Sequence, residues 1–140
     1  MILYNRRRII GYSLLVLLCA LLLTGCGLFP ARFDGQEHGM IVNVHVISQD
    51  SGVCDSRDSA YLAAQTMYQD ARWAWNYGRH QPDNAPMAKM TENLMAMTRE
   101  LDDRYKKGDA VSAAYCRLKF KNIHQATDTI LKVSARRPRL

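Results

Sequence analysis

Four histidines carry the side chains best suited to proton transfer or metal binding near neutral pH: His38, His45, His80 and His124. No two stand at a ligand spacing such as His-x-x-x-His, and they fall in four separate segments. His80 and Asp83 could hold an ion only loosely, in a polar stretch that reads as a solvated loop. His124, beside Ile123, reads as cover for the edge of a core. No serine sits in a nucleophile elbow, and there is no Ser-x-x-Lys. Asp102 and Asp103 neighbour Arg99 and Arg104, the pattern of a solvated helix face with local ion pairs. These residue types in these positions predict a protein that is not an enzyme.

Soft-metal chemistry rests on Met87, Met90, Met95 and Met97, crowded into one segment. Thioethers bind copper in oxidising compartments. Here Met95 is turned away from Met90 and Met97 on a helix, so gap-filling in a core is the stronger reading. Copper binding is a lesser one. There is no Cys-x-x-Cys and no Cys-x-x-Cys-His, which excludes c-type haem attachment. A haem held between Met and His would want a fourth helix. No cofactor and no metal site is expected.

The chain opens with Arg6-Arg7-Arg8, an apolar run from Ile9 to Leu23, and then Leu23-Thr24-Gly25-Cys26. A basic head, a greasy centre and small residues before a cut make an export signal. The run is short for an uncleaved membrane span, which needs about 20 apolar residues, although Ile9 to Phe29 could be stretched to fit. The paired arginines hint at twin-arginine export, but the remainder of that motif is poor and the general secretion route fits better.

Leu23-Thr24-Gly25-Cys26 resembles the processing motif of bacterial lipoproteins, position by position. The resemblance covers only the signal and the first residues after it. It implies cleavage before Cys26, diacylglycerol on the Cys26 sulfur and acylation of the new amino terminus, chains enough for stable anchoring. In enteric members of this class, Asp after the lipidated cysteine marks retention at the inner membrane. Gly27 stands here, which implies the outer membrane, with the domain facing the periplasm.

Of the four cysteines, Cys19 would leave with the signal and Cys26 would carry lipid. Cys54 and Cys116 remain, an even pair in an oxidising compartment, and the direct reading is a disulfide. Two buried thiols are the alternative. A bridge enclosing roughly 60 residues would stabilise by roughly 4 kcal/mol in the chain-entropy model. Net charge is +6 for the whole chain, and half of that excess is Arg6-Arg7-Arg8. The segment 111–140 has Asp128 as its single acid, so the basic end could touch anionic lipid or another acidic surface. Nucleic acid is not an expected partner.

The elements follow from pattern. Residues 1–25 read as signal and 26–38 as a lipidated tether, with Gly27, Pro30 and Gly35. Residues 39–135 read as the domain. Within it, 40–47 alternates Val42, Val44 and Val46 against Ile41, Asn43, His45 and Ile47, and reads as a β-strand. A lone strand leaves its backbone groups unpaired, so it lies over the helices or pairs with a partner or a second copy.

Three helices follow. The first, about Ser56 to Tyr77, carries Ala60, Ala64, Met67, Ala71 and Ala74, flanked by Tyr61, Tyr68 and Trp75, and stops at Gly78. Trp73 points away from Trp75. The second, about Met87 to Lys107, carries Met87, Met90, Leu94, Met97, Leu101 and Tyr105 and stops at Gly108. The third, about Ala110 to Ala135, is capped by Asp109 and carries Ala113, Cys116, Phe120, Ile123, Thr127 and Ile130. Residues 136–140 read as a frayed basic tail.

The expectation is an all-α fold, a small antiparallel three-helix bundle preceded by a flexible tether and one short β-strand. The expected function is an accessory or structural component of an envelope protein assembly, held to the membrane by its lipid anchor. Val42, Val44, Val46, Arg136 and Arg137 are the candidate contacts with an envelope protein or a second copy. A small inhibitor or exclusion-type modulator lipoprotein is the alternative.

Overall fold

The computed structural model describes residues 31–139. The export signal, its cleavage site and Cys26 lie outside the described residues. Within them are four α-helices and no strand: α1 (Gly35–Gln49), α2 (Arg57–Gly78), α3 (Ala85–Lys106) and α4 (Ala113–Ala135). A 3-10 turn, Ser51–Asp55, joins α1 to α2. The all-α expectation holds. The bundle has four helices instead of three, and the expected strand 40–47 is helical.

The fourth helix starts inside the expected tether. Asp34 accepts hydrogen bonds from the backbone N–H of Gln36 (2.8 Å) and of Glu37 (3.1 Å), and so caps α1. The β-branched residues of 40–47 favour a strand only weakly, and packing overrides that preference. As a helix, the segment buries Ile41 and Val44 completely. As a strand it would have left its ladder groups unpaired.

One spacing organises all four helices. Buried positions recur at alternating steps of four and three: Glu37, Ile41, Val44 and Ser48 on α1; Ala60, Ala64, Met67, Ala71, Ala74 and Gly78 on α2. The same steps give Met87, Thr91, Leu94, Thr98, Leu101 and Tyr105 on α3, and Cys116, Phe120, Ile123, Thr127, Ile130 and Ser134 on α4. This is the seam of a coiled coil. The side chains on α2 are mostly single methyl groups, so α3 approaches it closely, and this is the most extensive helix pair. Buried Thr91 and Thr98 return their hydroxyls to the carbonyls of Met87 (3.1 Å) and Leu94 (3.0 Å), which removes the cost of burying them. Burying each of Ile41, Leu94, Leu101, Phe120 and Ile123 is worth about 2 kcal/mol.

The helices run up and down in turn, with α1 against α2 and α4. One end, the base, gathers the start of α1, the end of α2, the start of α3 and the segment after α4. At the far end, Cys54 of the 3-10 turn is bonded to Cys116 of α4, with Cα atoms 5.8 Å apart. The disulfide read from the sequence is therefore present. Boundaries shift slightly. α4 is capped by Ser112, whose Oγ accepts from the backbone N–H of Tyr115 at 3.2 Å, three residues beyond the expected cap. Pro86 lies in the first turn of α3, where its fixed φ suits the helix start. Gly108 takes a left-handed φ of 77° after α3, a conformation that favours glycine.

Candidate functional site

The base of the bundle holds a buried polar network. Glu37 on α1 is 1% exposed and Asn84, just before α3, is also buried. Asn84 Nδ2 donates to Glu37 Oε1 (3.0 Å) and to the carbonyl of Gly78 (2.8 Å). Arg137, whose side chain is 9% exposed, donates from Nη1 to Glu37 Oε2 at 3.1 Å and from Nη2 to Asn84 Oδ1. Nη1 also reaches the carbonyl of Arg32 at 3.5 Å. Both carboxylate oxygens of Glu37 are thus met by donors, as a buried charge requires.

Gly78 makes room for this arrangement. A Cβ there would lie 2.3 Å from Glu37 Oε1 and 3.1 Å from Asn84 Nδ2. The glycine sits inside the last turn of α2, where absence of a side chain is its contribution. Its position after the α2 stripe suggests only a helix stop.

Around the network the segment before α1 is tied to the segment after α4. The backbone N–H of Phe33 donates to the carbonyl of Pro138 (3.0 Å), and the Arg139 guanidinium lies 4.8 Å from the Phe33 ring centroid. His38 Nδ1 is 3.1 Å from Ser134 Oγ. Tyr77 donates its hydroxyl to Asp34 Oδ2 at 2.9 Å. Partial burial pushes the Asp34 carboxyl up. The N–H of Glu37, the Tyr77 hydroxyl, the N–H of Gln36 and the charge of Arg137 outweigh it and hold the pKa below the ordinary carboxylate value. A cleft of about 340 Å³ opens beside the network, lined among others by Arg32, Asp34, Asp83 and Arg137. The carboxylates of Asp34 and Glu37 are engaged by donors, while Asp83 is exposed, so the arrangement acts as a latch that closes the bundle.

Two further groups sit between helices. His45 of α1 stacks on His124 of α4 with ring centroids 4.2 Å apart, and His45 Nδ1 is 3.0 Å from Thr127 Oγ1. Desolvation and then the charge of His124 lower the His45 pKa, against an opposing pull from Asp128. Asp102 departs from expectation. Its side chain is fully buried, and Oδ2 receives the Lys106 ammonium at 2.5 Å while Oδ1 has no partner. Asp103 keeps the expected exposed pairing with Arg99, at 3.5 Å.

The residues expected to meet a partner divide once 40–47 is a helix. Val44 is in the core, Val42 is half-buried, and only Val46 is exposed, because helical neighbours two apart do not share a face. Arg137 belongs to the latch, which corrects the expectation of a frayed tail; Arg136 is exposed. Met87 is buried, and Met90, Met95 and Met97 pack against the core, as gap-filling requires. The fourth helix that a haem would want is present, but it fills the interior with Ile41 and Val44.

The feature that sequence reading under-weighted is the outward stripe of α2. Leu62 is 63% exposed and Trp73 is 65% exposed. Together with Thr66 and Gln69 they follow the same four-three-four steps as the core, on the opposite side of the helix. The signal was visible in part, because Trp73 could not share a face with Trp75. Among the described residues no group of three or more His, Cys, Asp or Glu side chains is placed to hold a metal, and no helix is long and apolar enough to cross a membrane. The chain matches no protein-family model, no curated protein and no solved structure.

Proposed function

We propose that this chain is a non-enzymatic lipoprotein of the outer membrane. Its bundle faces the periplasm as an accessory or structural component of an envelope protein assembly. The observation that carries the binding role is the outward stripe of α2. A tryptophan and a leucine stand about 16 Å apart along one helix, each left mostly in water by the described residues. Large aromatic side chains dominate the energetics of protein interfaces when they find a pocket on a partner. The lipid anchor rests on the Leu23-Thr24-Gly25-Cys26 motif. The disulfide-closed bundle suits an oxidising compartment.

A photo-crosslinking side chain placed at Trp73 in intact envelopes tests the binding role, with the same side chain at exposed Arg99 of α3 as control. A discrete adduct from position 73 and none from 99 supports the reading. Identical patterns from both, or none from either, refute it. Mass analysis of the purified protein tests the anchor independently. The expected amino-terminal peptide begins at Cys26 and carries acyl chains.

A further inference from the structure

The base of the bundle concentrates arginines that no acid pairs with among the described residues. Arg32, Arg79, Arg136 and Arg139 are all exposed there. None is in an ion pair among the described residues. They come from three stretches far apart in sequence, brought together because the segment before α1, the segment after α4 and the α2–α3 link meet at this end. Two are held in place by aromatic faces. The Arg79 guanidinium lies 4.6 Å from the Trp75 ring centroid and that of Arg139 lies 4.8 Å from Phe33. Acids at the same end are spent: Asp34 caps α1 and accepts from Tyr77, and Glu37 is locked to Arg137. Asp83 alone is exposed. The far end mixes both signs, with Asp50, Asp55, Asp58 and Asp109 exposed beside Arg57, Lys106, Lys107 and Arg117, and Asp55 paired with Arg117. Exposed charge at the base is therefore one-sided, four arginines against Asp83, whereas at the far end the two signs are mixed.

Position supplies the second half of the argument. Cys26 precedes Ala31 by five residues, so a fully extended chain spans about 17 Å at most between them. A protein acylated at Cys26 has its arginine-bearing base held within that reach of the bilayer, where the field of anionic lipid acts over roughly 8 Å at physiological salt. The far end, about 33 Å away along α2, is out of range.

We infer that the base of the bundle is a membrane-apposed face, on which Arg32, Arg79, Arg136 and Arg139 bind the phosphates of anionic lipid headgroups. The face makes the bundle stand on its base instead of swinging freely from its tether. This inference rests on the anchored reading of Cys26.

The test uses the acylated protein purified from envelopes and returned to vesicles of phosphatidylcholine alone or of phosphatidylcholine mixed equally with phosphatidylglycerol. Phenylglyoxal modification of each arginine is followed by peptide mass. On the anionic vesicles, modification of Arg32, Arg79, Arg136 and Arg139 should slow by about fivefold, the effect of one arginine near an anionic surface. Raised salt should restore it. Arg57 and Arg99 should react equally on both vesicles. Equal protection of the base on both vesicles, or none on either, overturns the inference.

A combined Arg32→Gln, Arg136→Gln, Arg139→Gln variant leaves the latch intact. It should lose the lipid-dependent protection of Arg79 while melting like the parent. Protection of Arg79 unchanged in this variant counts against a shared face. If mass analysis finds no acyl chain, the anchored reading fails, and the same protein is mixed with preformed vesicles. Sedimentation with the anionic vesicles alone upholds the arginine face, and sedimentation with neither overturns it.

Discussion

Replacing Gly78 by alanine should break the latch at the base of the bundle. The new methyl carbon would lie 2.3 Å from Glu37 Oε1, well inside van der Waals contact, and 3.1 Å from Asn84 Nδ2. The Glu37 side chain is 1% exposed and has no room to retreat without leaving Arg137. Displacing one partner of a buried ion pair costs about 3–5 kcal/mol. Alanine recovers up to about 1 kcal/mol of helix propensity over glycine. The net loss is about 2–4 kcal/mol, or a fall in Tm of roughly 10–15 °C for a domain of this size. Thermal unfolding followed by circular dichroism, with the disulfide intact, reads it directly. The decisive comparison is a double-mutant cycle. In a Glu37→Ala background the clash with the carboxylate is gone, so Gly78→Ala should be nearly neutral or slightly stabilising. If Gly78→Ala alone melts within about 2 °C of the parent, the close approach of α2 to Glu37 is wrong. If the two changes are additive, the coupling argued for the latch is wrong.

Other outcomes follow from the same structure. Val44→Ala should cost about 2 kcal/mol and Val46→Ala almost nothing in urea unfolding, because one is fully buried and the other exposed; equal effects would restore the strand reading of 40–47. Serine at both Cys54 and Cys116 should cost about 4 kcal/mol, since the bridge closes a separation of 62 residues; a loss under about 1 kcal/mol would place the closure entropy elsewhere. The His45 pKa is lowered in the fold, so the unfolded chain takes up that proton first as pH falls. Its contribution is complete above the ordinary value of 6.5 and is lost as pH drops from there toward the folded value. His45→Gln should flatten the stability profile in that window, and an unchanged slope would count against the stacked pair. Trp73→Ala should leave Tm unchanged, since the side chain is 65% exposed on the outer side of α2.

Much of this architecture was legible because three helices advertise themselves. The alanine stripe of α2, the Met and Leu stripe of α3 and the Phe120–Ile123–Ile130 stripe of α4 repeat at helical spacing, and glycine or proline stands near their ends. α1 hid for a physical reason. Two of its four buried positions, Glu37 and Ser48, are polar, while apolar Val46 faces water, so helical amphipathicity is nearly cancelled and strand-like alternation is left as the visible pattern. Asp34 followed three residues later by Glu37 was a helix-start signal that competed with it. The latch was invisible for another reason. Glu37, Asn84 and Arg137 are 47 and 53 residues apart, and each alone reads as an ordinary surface residue. Only the topology of the fourth helix brings them together. The cysteine pair needed no topology, because its parity and the compartment expected from the export signal were enough.

The disulfide at the far end also has a mechanical consequence. A pull applied between the segment before α1 and the segment after α4 would load the base in the manner of a zipper, opening Phe33 from Pro138 and Glu37 from Arg137 first. As the ends separate, tension passes down α1, crosses the Cys54–Cys116 bond and returns along α4. The chain between those cysteines, which includes all of α2 and α3, carries none of it. The covalent bridge therefore divides the domain into a force-bearing hairpin and a shielded loop. The outward stripe of α2 lies in the shielded loop.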